Sequence, residues 1–137
     1  MSSIGESLSM TPPTKHNLLI ERDMLEPTHV IFNAIKDGTL FVQCGATASS
    51  MKIDFNVGGA YSIDFGADGL VEGTFTKTDP EEISFTWSHQ THVHIQLEPK
   101  GDITFLRLTH FEVPDEKWMK LFKDGWNEGL NGIETAP

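Results

Sequence analysis

The chain has 137 residues, with ten Lys and Arg against twenty Asp and Glu and a formal charge of -10. That length fits one domain with a core that needs no metal or disulfide, and the acidic balance repels phosphate backbones and anionic lipid surfaces, which argues against nucleic acid as a partner. Cys44 is the single cysteine, so no intramolecular disulfide forms, and no segment approaches the roughly 18 apolar residues of a spanning helix; the chain reads as cytoplasmic, without membrane insertion.

Residues 1–14 are polar, Ser-rich and punctuated by Pro12-Pro13, a composition that predicts a disordered tail ahead of a single domain over residues 15–137. The run from His16 to Arg22 predicts a first strand. Pro27, the stripe Val30, Ile31, Ala34 and Ile35, and a stop at Gly38 predict a short amphipathic helix with Pro27 in its first turn. TLFVQCGA is ambiguous between helix and strand and is read as a second short helix.

After Ser50 the pattern is strand-like for some sixty residues. MKIDFNV leads to Gly58-Gly59, read as a bulge or sharp bend, and AYSIDF then alternates Tyr61, Ile63 and Phe65. Asp68-Gly69 signals a hairpin before LVEGTFTK, which carries Phe75. TDPEE turns the chain into ISFTW, with Phe85 and Trp87; THVHIQL aligns Val93, Ile95 and Leu97; PKGD closes a further hairpin before ITFLRLTHF. Strands joined by such short turns make an antiparallel meander. From Val113-Pro114-Asp115-Glu116 a long amphipathic helix is expected, with Trp118, Leu121, Phe122, Gly125, Trp126, Gly129, Leu130 and Ile133 on one face. The helix glycines predict close approach to the sheet, fraying near the C-terminus, or room left beneath the helix.

EPTHVIFNAIKD, IDFNVGGAYSIDF, VEGTFTKTDPEEISFTW, GDITFLRLTHF and Gly125-Trp126 together resemble the START-like, birch-pollen-allergen-like (SRPBCC) superfamily. Within it they are similar to the C-terminal domain of the activator of the heat-shock chaperone ATPase, and the likeness covers nearly everything from His16 onward. Asn56, where a basic residue is common, and Phe41, where a tryptophan is common, depart from that pattern, as does a helix that stops at Pro137. The resemblance implies an α+β helix-grip fold: a curved antiparallel sheet of about six or seven strands wrapped around the C-terminal helix, enclosing an apolar cavity. It fixes architecture better than activity.

Strand parity separates the histidines. If Val93, Ile95 and Leu97 face inward, His92 and His94 form a solvated outer face, and His89, one pleat off near the turn, does not complete a metal site at any motif spacing. His110 shares the inward parity of Leu106 and Leu108. It is either a core histidine satisfied by its neighbours or a group that hydrogen-bonds a ligand. Asp54 and Asp64 are the other acid–base candidates near the sheet, and no catalytic motif accompanies them.

The expected function is binding of a small hydrophobic or aromatic ligand between sheet and helix. Tyr61, Ile63, Phe65, Phe75, Phe85, Trp87, Val93, Ile95, Leu106, Leu108, His110, Phe122 and Trp126 are the candidate lining. The alternatives are a chaperone-regulating interaction domain and an enzyme using His110 on a bound substrate. No cofactor is implied.

Overall fold

The computed structural model describes residues 16–45, 51–66 and 69–135. The tail expected over residues 1–14, Asp68 of the expected hairpin turn and the side chain of His89 lie outside what is described. β1 (His16–Met24) points Leu18, Ile20 and Met24 inward and Leu19 and Glu21 outward, the alternation of a half-covered strand. α1 (Thr28–Lys36) buries Ile31, Ala34 and Ile35. Pro27 lies just outside this helix with extended backbone angles, not in its first turn as expected, and its carbonyl accepts the Val30 N–H. Gly38, at φ 88°, takes the left-handed conformation that disfavours a Cβ, and so turns the chain directly into α2 (Thr39–Gln43). The ambiguous stretch is therefore helical, with Leu40 and Phe41 buried.

β2 (Lys52–Ile53), β3 (Ala60–Asp64), β4 (Leu70–Asp79), β5 (Glu82–Trp87), β6 (Thr91–Lys100) and β7 (Ile103–Val113) follow. With β1 they form one antiparallel sheet of seven strands in the order β1-β7-β6-β5-β4-β3-β2. The long helix α3 (Glu116–Thr135) packs against it, so the architecture is the expected α+β helix grip with two short helices after the first strand. Among the described residues no helix is long and apolar enough to cross a membrane.

Three further details differ from the sequence reading. MKIDFNV is a strand only at Lys52–Ile53, because Asp54 to Gly59 folds into a turn held by Asn56 N–H to the Asp54 carbonyl (2.9 Å) and Gly59 N–H to the Asn56 carbonyl (2.7 Å). The double glycine then bends against β4: Gly58 N–H donates to the Phe75 carbonyl at 2.8 Å, and the β4–β5 register slips just after Phe75. The second difference is Leu121, which lies on the expected apolar stripe of α3 yet stays 51% exposed. The third is what the helix glycines approach. A Cβ on Gly129 would stand 2.3 Å from Cys44 Sγ, and one on Gly132 would stand 2.3 Å from Gln43 Oε1, so the close neighbour is α2 and not the sheet.

The parity of β6 and β7 is as read. Val93, Ile95, Leu97, Leu106, Leu108 and His110 are buried, while His92 and Arg107 are exposed.

Candidate functional site

The inner face of the sheet is packed with aromatic rings. Phe41, delivered by the short helix α2, stacks on Trp87 at 5.8 Å and on Tyr61 at 6.5 Å, and meets Phe85 (6.1 Å) and Trp126 (6.4 Å) edge-on. Tyr61 donates its hydroxyl to the Thr86 carbonyl, and burial pushes its ionisation well above the usual phenol range. Room remains toward one end of the sheet. There a cleft of about 340 Å³ opens between the β3–β4 turn (Phe65, Leu70, Val71), the end of β5 (Trp87, Ser88), Cys44 and the first half of α3 (Trp118, Leu121, Phe122, Gly125, Trp126).

Of the candidates read from the sequence, Phe65, Trp87, Phe122 and Trp126 line this cleft. Tyr61, Ile63, Phe75, Phe85, Val93, Ile95, Leu106, Leu108 and His110 belong to the packed core behind it. Parity identifies inward residues but does not say which inward residues meet one another and which border a gap. Trp118 was legible, since it lies one turn before Phe122 on the same helix face. Gly125 was legible on that same face, whereas Cys44, Leu70 and Ser88 carry no such signal: they reach the cleft through loop paths and through the way α2 and α3 pack.

His110 is fully buried and both its ring nitrogens are engaged. Trp126 Nε1–H donates to Nδ1 at 3.0 Å, so Nδ1 is bare and Nε2 carries the proton of the neutral ring. Nε2–H then donates to Thr91 Oγ1 at 2.8 Å, and the Thr91 hydroxyl donates to the Ser88 carbonyl at 2.7 Å. Every donor in this chain faces an acceptor. Burial drives the His110 pKa down to about 3, assisted by the charge of His92. The ring also stacks on Phe122 with centroids 4.4 Å apart, so a core histidine orients two side chains of the cleft without lining it.

The remaining polar candidates serve other ends. Asp54 Oδ1 accepts from Asn56 Nδ2 at 2.6 Å, and Asp64 Oδ1 accepts from the Gly66 N–H at 2.7 Å, each bracing a turn. On the outer face His94 Nε2 lies 2.5 Å from Glu82, whose other oxygen meets Lys77 at 2.6 Å; Lys77 first, and His94 second, hold that carboxyl below its usual range. Among the described residues no group of three or more His, Cys, Asp or Glu converges as metal ligands. Cys44 donates its thiol to the Gly125 carbonyl at 3.2 Å, and burial, then the nearby Glu128 carboxylate, push its pKa up to about 12. It is a poor nucleophile in this setting.

A family model described as "Activator of Hsp90 ATPase homolog 1-like protein" matches residues 26–136. Solved structures share the fold. An HSP90 activator from Plasmodium falciparum is 27% identical, with a TM-score of 0.69 over 86% of this chain and 93% of that one. The Aha1 dimer from Colwellia psychrerythraea is 20% identical, with a TM-score of 0.74 over 88% and 95%. CalU16 from Micromonospora echinospora is 19% identical, with a TM-score of 0.68 over 88% and 76%. No curated protein matches the sequence.

Proposed function

The chain belongs to the family of activator of Hsp90 ATPase homolog 1-like proteins, and from that premise we propose that it binds a small apolar or aromatic molecule in the cleft under the first half of α3. The observation that carries this reading is the cleft itself: about 340 Å³ walled by Phe65, Trp87, Trp118, Phe122 and Trp126. That volume lies within the range of small-molecule sites, about 300–1,000 Å³, and the mainly aromatic lining with few polar groups is typical of them. Gly125 supports it. A Cβ at this position meets nothing within 4 Å, so the missing side chain leaves open space at the cleft wall.

The test is a thermal-shift screen of aromatic and lipid probes, run beside mass spectrometry of whatever co-purifies with the protein. Each hit is repeated on Gly125→Leu, which fills the space that glycine leaves open. Hits that stabilise the wild type and fail on the variant are the expected result. No hit at all, or hits indifferent to the substitution, would remove the reading.

A second reading has one observation in its favour. The Plasmodium falciparum relative, 27% identical and matched over 93% of its length, is described as an HSP90 activator. Incubating the protein with an Hsp90-class chaperone tests it; the absence of both a complex and a change in ATPase rate would eliminate it. Acid–base catalysis at His110 has no comparable support, since both ring nitrogens are already engaged.

A further inference from the structure

Trp87 and Trp126 are both buried, yet their indole N–H groups differ. Trp126 donates to His110, whereas the Trp87 N–H has no hydrogen-bond acceptor among the described residues, although Trp87 is only 8% exposed. A buried indole usually finds a partner, and one left without protein acceptor is costly unless something in the adjoining space accepts it. The adjoining space is the cleft, which Trp87 lines. Ser88 lines it too, and while its carbonyl accepts from Thr91, its hydroxyl has no partner among the described residues. Two neighbouring polar groups therefore stand on one wall without a partner among the described residues, across the cleft from Trp118 and Phe122.

Charge narrows the chemistry further. Among the described residues no charged side chain lines the cleft, and the chain carries a net charge of -10. A carboxylate or phosphate brought there would lose hydration with no cation to replace it, and would meet the repulsion of the whole molecule. A neutral oxygen has neither handicap.

Resting on the ligand-binding reading above, we propose that the ligand is a flat aromatic molecule bearing a neutral hydrogen-bond acceptor, a carbonyl or hydroxyl oxygen, to which the Trp87 indole N–H donates. Ser88 then offers a second, rotatable partner to the same oxygen or its neighbour. The stacked rings supply affinity, and Trp87 selects among apolar molecules of equal size.

A matched set of probes tests this: naphthyl methyl ketone, ethylnaphthalene and naphthoate, titrated by calorimetry into the full chain and into Trp87→Phe, which keeps a ring and deletes the N–H. In the wild type the ketone is expected to bind about tenfold more tightly than the hydrocarbon. The ratio should fall to about one in the variant, and the Trp87 indole N–H resonance of the wild type should move downfield with the ketone alone. Thermal melting of the variant confirms that it is folded; should it not be, the wild-type ratio and the resonance decide by themselves. Equal binding of ketone and hydrocarbon overturns the proposal while leaving the cleft as a binding site, as does naphthoate binding most tightly. Binding by none of the three overturns this proposal and the ligand-binding reading together.

Discussion

Lowering the pH from 7 to 5 should weaken the fold by about 2 kcal/mol through His110 alone. The neutral ring is locked between a Trp126 donor and a Thr91 acceptor, so a second proton on Nδ1 would face an N–H and break the chain. The folded pKa of about 3 lies well below the 6.5 of an unconstrained imidazole. Between those values the unfolded chain binds a proton that the folded chain does not, so stability falls as pH falls, by up to 1.36 kcal/mol per unit. Integrating from pH 7 to pH 5 gives about 2 kcal/mol, and the figure barely changes for any folded value below about 4. Urea denaturation at the two pH values measures the loss. His110→Gln supplies the control, because its amide can accept from Trp126 and donate to Thr91 without titrating; its stability should change far less over the same window. An equal slope in the variant, or an imidazole resonance titrating near 6.5 in the native protein, would refute the argument.

Other expectations follow from the packing. Gly129→Ala should lose roughly 1–2 kcal/mol, the strain of a Cβ against Cys44 and the Leu40 carbonyl outweighing the helix propensity gained; Gly125→Ala, with open space, should gain up to about 1 kcal/mol. Thermal unfolding of the pair should thus shift in opposite directions. Cys44, with its pKa pushed up to about 12 from 9.0, should react with a thiol reagent at pH 8 on the order of a thousandfold more slowly folded than unfolded. Rapid stoichiometric labelling of the native protein would contradict the site as described. Phe41→Ala should cost about 3–5 kcal/mol by calorimetric or denaturant measurement, since four aromatic neighbours lose their shared contact; a loss below 1 kcal/mol would mean that Phe41 does not hold that packing.

Where the sequence was readable, a simple period decided the matter. Val93, Ile95 and Leu97 on β6, and Leu106, Leu108 and His110 on β7, alternate so regularly that their common face could be named in advance. The stripe of α3 was likewise visible through Trp118, Phe122, Trp126, Leu130 and Ile133. What stayed hidden depends on contacts between distant segments. Leu121 fits the helical stripe, but α3 lies over the cleft mouth at that turn and leaves it bare. Asp54 to Gly59 offered apolar residues in strand spacing, but backbone bonds from Asn56 to Asp54 and from Gly59 to Asn56, together with the side-chain bond from Asn56 Nδ2 to Asp54 Oδ1, hold them in a turn. In the sequence Phe41 reads only as a departure from a common tryptophan, although it is the ring around which the aromatic core gathers. The cleft, finally, is a place where packing stops, and hydrophobic pattern does not report that.

Because among the described residues β1 pairs only with β7, the first of the described strands waits for the last: Leu18 finds its partner at His110, and His16 finds its partner at Val113. At synthesis rates of about 5–20 residues per second, β1 is exposed for roughly 5–20 s before β7 emerges. The β3 to β7 meander, by contrast, can zip from one hairpin to the next as it appears. Folding of the nascent chain is thus ordered from the middle outward, with closure of the β1 edge and docking of α3 as late, coupled steps. Shortening the chain before Ile103, which removes β7, would strand β1 as an unpaired edge available for association with other chains.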